Sequence, residues 1–248
     1  MSEPPTDFSP FSVEGREPSY RHGEVGYAWL SVPDLGRAVA FYATVLGWTV
    51  APGSDTQGRQ VQGRSPHLGL HGGAPRSTLN CCYAVADMGM AIRQVLAAGG
   101  RAGEPTAAPY GLVADCTDDQ GTVFALYQPP GGVGIEPSTV GDHGDLAYVT
   151  FEVVDSARAR AFYGAVLGWS FTPGSLDDGW QVQGTMAGLH GGNEQATTLA
   201  MWRVDNLADA VDRVRAAGGT STDPQTRAYG LEAECTDDQG TRFYLGQL

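Results

Sequence analysis

The sequence predicts an α+β protein made by tandem duplication, two like domains holding four βαβββ modules between them. Three observations carry this. Short blocks recur in the same order: AFYATVLGW at Ala40–Trp48 returns as AFYGAVLGW at Ala161–Trp169, 121 residues on. GLHGG at Gly69–Gly73 returns at Gly188–Gly192, and CTDDQGT at Cys116–Thr122 returns at Cys235–Thr241, both 119 residues on. Ordered repeats at nearly constant spacing do not arise from shared composition. Within each copy, segments with apolar residues at every second position alternate with segments at helical spacing. Thirty-five glycines and fifteen prolines in 248 residues supply the turns that many short strands need.

The elements follow in order. Residues 1–23 are polar, proline-punctuated and outside the repeat, and read as a flexible tail. The first domain spans residues 24–128. Val25–Val32 alternates as a strand does, and Gly36–Leu46 has Val39, Phe41, Tyr42 and Val45 at helical spacing before Gly47 ends the helix. Strands are predicted at Trp48–Ala51, Gly58–Gln62 and His67–His71. The order then recurs: a strand at Thr78–Val85, a helix at Met88–Ala98 stopped by Gly99-Gly100, and strands near Ala102, at Leu112–Cys116 and at Thr122–Tyr127. Residues 129–144 are rich in Pro, Gly and Ser and read as a linker, and residues 145–248 form the second domain.

Composition narrows the function. Hydrophobic residues at 42% can fill real cores, and the net charge of −13 repels phosphate backbones and anionic lipid surfaces. Neither nucleic acid nor a membrane is expected as a partner. The opening residues lack the basic and apolar parts of a signal peptide, which leads to the expectation of a cytoplasmic protein. Cys81, Cys82, Cys116 and Cys235 show no CxxC spacing and read as reduced, buried thiols. Asp118-Asp119 and Asp237-Asp238 precede Gln-Gly, where Asp stabilises a tight turn.

The segments YAWLSVPDLGRAVAFYATVLGW (27–48) and YVTFEVVDSARARAFYGAVLGW (148–169), with DDQGTVFAL (118–126) and DDQGTRFYL (237–245), resemble the vicinal oxygen chelate superfamily. That superfamily includes glyoxalase, bleomycin-resistance and extradiol-dioxygenase relatives. The resemblance implies tandem domains whose curved sheets form two cavities. It also implies a divalent metal held by His or Glu from the first, fourth, fifth and eighth strands. Here those positions fall at Tyr27 and Tyr148, His71 and His190, Asn80 and Leu199, and Ala125 and Tyr244. One imidazole per site is too few donors for such an ion, so no metal and no cofactor is expected.

Pairing after the manner of the family's dimers implies cavities shared between the repeats. The first would gather Tyr27, His71, Leu199 and Tyr244, with Trp29 and Ser31 by strand alternation. The second would gather Tyr148, His190, Asn80 and Ala125, with Thr150 and Glu152. The second, smaller-walled and more polar, is expected to carry chemistry. His190 either moves a proton or satisfies a turn. Asn80 either donates to an oxyanion or bonds the local backbone. Tyr148 and Tyr27 either hydrogen-bond a substrate oxygen or pack with satisfied hydroxyls. Glu152 reads as a rim residue facing water rather than a raised-pKa base. Trp29, Trp202 and the weaker His71 complete the predicted substrate contacts.

Two functions compete. One is a lyase- or isomerase-type enzyme, aldolase- or cyclase-like, acting through an enolate on an aromatic or polyketide-like molecule. This suits the antibiotic-pathway accessory proteins that two-domain actinobacterial relatives resemble. The other is a self-resistance protein that sequesters a small metabolite without turnover. Either way the chain is expected to act as a monomer with an internal pseudo-dimer, or as a weak homodimer.

Overall fold

The computed structural model describes residues 20–53, 56–108, 111–133 and 141–248. The predicted tail before Tyr20 and the linker residues 134–140 lie outside the described residues. In the first repeat the elements are β1 (Val25–Ser31), α1 (Leu35–Leu46), β2 (Val50–Pro52), β3 (Gly58–Val61), β4 (His67–His71), β5 (Thr78–Ala84), α2 (Met88–Ala97), β6 (Arg101–Ala102), β7 (Thr106–Ala108), β8 (Gly111–Thr117) and β9 (Val123–Gln128). The second repeat gives β10 (Leu146–Glu152), α3 (Ser156–Leu167), β11 (Phe171–Pro173), β12 (Gly179–Val182), β13 (Ala187–His190), β14 (Thr197–Arg203), α4 (Leu207–Ala216), β15 (Thr220–Ser221), β16 (Gln225–Arg227), β17 (Gly230–Thr236) and β18 (Arg242–Gln247). No helix among the described residues is long and apolar enough to cross a membrane.

The local chemistry explains the helix bounds. Asp34 and Asp155 cap α1 and α3 by accepting from the amides of Arg37 and Arg158. Gly47 and Gly168 end them at φ 66° and 68°, a left-handed conformation that a side chain disfavours.

Each repeat closes its own open, curved sheet, in the orders β2-β3-β4-β1-β5-β9-β8-β6 and β11-β12-β13-β10-β14-β18-β17-β15, with β7 and β16 paired to β8 and β17. This corrects the expected sharing of strands. Both edges of β1 are occupied within its own repeat, parallel to β4 and antiparallel to β5, so that Trp29 faces Asn80. Likewise β10 lies between β13 and β14, with Thr150 opposite Leu199. A strand has two hydrogen-bonding edges, and none remains for the other repeat.

The repeats meet through helices and side chains instead, α1 against α4 and α2 against α3. Phe41 and Tyr42 of α1 meet Phe243 of β18 edge-on, at 6.2 and 5.9 Å between ring centres. Phe162 and Tyr163 of α3 meet Phe124 of β9 at 6.0 and 6.1 Å. One buried cluster therefore runs through both repeats. Trp202, expected at a ligand, is fully buried in that cluster, edge-on to Trp48 at 5.0 Å. It faces the core because strand alternation puts Ala200 and Trp202 opposite Leu199 and Met201.

Candidate functional site

Strand alternation leaves each sheet one face away from the shared core, and the two faces differ. On the first sheet, Tyr20 is 3% exposed and packs with Cys82, Ala84, Ala125 and Tyr127, against Tyr27 and Trp29. The residues Tyr20–Gly23, expected within a flexible tail, thus belong to the folded body: Gly23 bonds Ala84 and accepts from the Trp169 indole. Asn80 is buried here and its amide donates to Ser31 Oγ at 3.0 Å. It does not meet Tyr148 or His190, because it lies in the other sheet. Tyr27 stacks on Trp29 and accepts from Gln60 at 3.2 Å, and His71 is exposed at the end of β4.

The second sheet's face is polar and charged. Tyr148, Thr150 and Glu152 project from β10, His190 from β13, Leu199 and Met201 from β14, and Arg242 and Tyr244 from β18. The Tyr148 hydroxyl donates to Gln181 at 3.0 Å, and burial pushes its pKa up to about 12, so it stays protonated near neutrality. Burial likewise moves Tyr244 up to about 12. Glu152 is 8% exposed, not a rim residue facing water. Arg242 reaches across from β18 and grips both its oxygens, at 2.8 and 3.0 Å, while also donating to Glu234 at 2.9 Å. This fork-to-carboxylate geometry offsets the desolvation of the buried charge. Donating to Glu152 pushes the Arg242 guanidinium further above its ordinary range. Beyond it, Glu232 accepts from Arg227 at 2.6 Å and from the Tyr229 hydroxyl.

His190 sits at the end of this array. Its Nε2 lies 3.9 Å from Glu152 Oε1, and its Nδ1 lies 3.3 Å from Nδ2 of Asn193. The structure thus brings Tyr148, Thr150, Glu152 and His190 onto one face and leaves Tyr27, Trp29, His71 and Asn80 on the other sheet. Arg242 and Asn193 did not emerge from the sequence as site residues. A signal was there: CTDDQGT is followed by Val123 in one copy and Arg242 in the other, and GLHGG by Ala74 and Asn193. Ser31 stands where the second copy has Glu152.

The donors do not fit a divalent cation. At the four family positions the second sheet offers Tyr148, His190, Leu199 and Tyr244, and the first offers Tyr27, His71, Asn80 and Ala125. A protein site for such an ion needs three or more converging His, Cys, Asp or Glu donors. Among the described residues no group of three forms one. An open groove of about 540 Å³ lies elsewhere, between Leu35, Val39, Gln57 and Arg59. The matching place in the second repeat holds the Arg160 guanidinium 3.6 Å over the Trp180 ring.

Comparison with known proteins agrees with this architecture. The family model for a glyoxalase-like domain matches residues 28–127. Similar solved structures include a Mn(II)-bound glyoxalase from Novosphingobium aromaticivorans, 15% identical over 92% of this chain and 82% of that one, with a TM-score of 0.70. Catechol 2,3-dioxygenase is 17% identical over 92% and 88%, at 0.69. An extradiol ring-cleaving dioxygenase from B. fuscum is 18% identical over 93% and 74%, at 0.65. The chain has the vicinal oxygen chelate fold. No curated protein matches it. One fold hosts many chemistries, so function is argued from the second sheet's own residues.

Proposed function

We propose that the protein binds a small, oxygen-bearing organic molecule against the second sheet and performs metal-independent acid–base chemistry on it. The observation that carries this reading is the array His190–Glu152–Arg242, which the first sheet lacks. A carboxylate beside an imidazole suits proton transfer next to a carbonyl, Glu152 taking the proton from carbon and His190 donating to the oxygen. Tyr148, kept protonated by burial, suits a hydrogen bond to the resulting enolate oxygen once its hydroxyl turns from Gln181. Aldol-type cyclisation, isomerisation and dehydration share that intermediate, which places the reaction among lyases or isomerases. The rings of Tyr148 and Tyr244 beside Leu199 and Met201 support an aromatic, polyketide-like ligand.

The test is loss of hydrogen at the carbon next to the carbonyl. A panel of aryl ketones in deuterated buffer with excess chelator should exchange those protons faster with the protein than without. His190→Ala should slow the exchange on the order of a hundred- to ten-thousand-fold. Exchange that depends on added metal, or survives in His190→Ala, overturns the reading. The firm grip of Arg242 on Glu152 favours a second reading, sequestration without turnover, because it engages both carboxylate oxygens. Tight binding of a panel member with no exchange decides for it.

A further inference from the structure

The two nitrogens of His190 meet different partners, and the partners fix its proton. Nδ2 of Asn193 lies 3.3 Å from His190 Nδ1, and also 3.2 Å from the carbonyl oxygen of Val153 and 3.0 Å from that of His190. A third carbonyl, Gly191, is 3.4 Å away. An amide oxygen turned into that position would confront three carbonyl oxygens. The group there is therefore the NH2, which only donates. Neutral His190 must then keep its lone pair on Nδ1 and carry its proton on Nε2, facing Glu152.

The gap between Nε2 and Glu152 Oε1, 3.9 Å, is too long for a hydrogen bond. It suits a third atom. An oxygen about 2.8 Å from both would accept from Nε2–H and donate to the carboxylate. A hydroxyl does both, as does a water. A carboxylate, ketone or ether oxygen has no proton for Glu152, and an ammonium has no lone pair for Nε2–H. Arg242 keeps Glu152 in place by holding both oxygens. The first repeat has Ser31, Ala74 and Val123 at the places of Glu152, Asn193 and Arg242, so the shared fold does not require the arrangement.

We propose that Asn193 is a positioning residue that holds His190 in its Nε2–H form, and that His190 and Glu152 together recognise a phenolic, alcoholic or enolic hydroxyl of the ligand. The hydroxyl half rests on the second sheet's face being the ligand site; the tautomer half does not. Neutral His190 then enters the reaction as a donor to oxygen. Water meets the same demand for a donor and an acceptor, so the test must separate it from a ligand hydroxyl.

The full chain labelled with 15N-histidine, at about pH 8 where ordinary imidazole is neutral, reports which ring nitrogen bears the proton. His190→Gln identifies the His190 signals. Wild type should show the proton on Nε2. Asn193→Asp, shown folded by thermal melting, should move it to Nδ1, because a carboxylate there accepts. If that variant does not fold, Asn193→Ala should add a visible Nδ1–H fraction. An Nδ1–H wild type, or an unchanged single form in the folded variant, overturns the positioning role. Phenol is then titrated against anisole, its methyl ether. Phenol should shift the His190 ring nitrogens and bind about tenfold or more tightly than anisole, as the lost hydrogen bonds require. Equal response to both, or to neither, means the gap holds water only, and overturns hydroxyl recognition while leaving the tautomer result standing.

Discussion

A Cβ added at Gly69 would fall inside the hydroxyl of Tyr27, and one at Gly188 inside that of Tyr148. The tyrosines lie over these glycines in both repeats, each bonded to a glutamine, Gln60 or Gln181. This gives the first glycine of GLHGG a packing reason that holds equally in the two copies. By the same comparison, a residue present in one copy alone, as Glu152, Asn193 and Arg242 are, is not demanded by the shared fold. Gly69→Ala should destabilise by about 1–3 kcal/mol, the usual cost of forcing a methyl group into filled space. Adding Tyr27→Phe removes the hydroxyl that the methyl meets and should restore most of the loss. Melting curves of the two variants decide it. A Gly69→Ala protein as stable as wild type, or a double variant no better than the single, would show that the hydroxyl is not what excludes the side chain.

Among elements, the hairpin turns of the repeated CTDDQGT do two jobs. Asp118 Oδ1 accepts from the amides of Gln120 and Thr122 at 2.9 and 2.8 Å, and Asp237 does the same for Gln239 and Thr241. That is the turn-stabilising role expected from sequence. The turns also dock onto the other repeat: Tyr163 donates to Asp118 at 3.0 Å, Arg158 to Asp119 at 2.9 Å, and Gln120 pairs with both backbone groups of Asp155. Asp118→Ala removes three hydrogen bonds to a buried charge and should cost on the order of 2–4 kcal/mol. Asp119→Ala removes a pair whose Arg158 is half exposed, worth under about 1 kcal/mol. Denaturant unfolding yielding equal losses would contradict this division of labour. The docking was not legible because its partners lie in the other repeat, while periodicity reports only which face of a strand or helix is apolar. For that reason His67–His71 and the helix from Met88 were readable to within a residue. The strand pairing was not, since β1 looks the same whichever strand lies beside it. The three-residue β7 and β16 are too short to show any period, and the Glu152 side chain looked like a rim residue because Arg242 is ninety positions away.

For the whole molecule, aromatic side chains that interlock across the repeats join them in one buried core. Trp48 meets Trp202 at 5.0 Å and Trp169 meets Tyr83 at 5.4 Å, each pair crossing the repeats. The two indoles also donate across, Trp48 to the Gly144 carbonyl at 2.9 Å and Trp169 to that of Gly23 at 3.0 Å. A half made alone would leave these rings facing water and should aggregate or pair with itself. A sharper test keeps the chain whole. Trp202→Ala truncates a fully buried ring, and large-to-small changes of this kind cost about 3–5 kcal/mol. If each domain had its own core, the loss would stay in the second. With one continuous core, both should lose it together, because neither can unfold without exposing the other's contacts. Hydrogen exchange measured separately on β1 and β10 makes the distinction. The slowest amides of both strands should open with one common free energy in wild type, and Trp202→Ala should lower both by the same amount. Protection lost from β10 but kept in β1 would mean that the two sheets are merely neighbours.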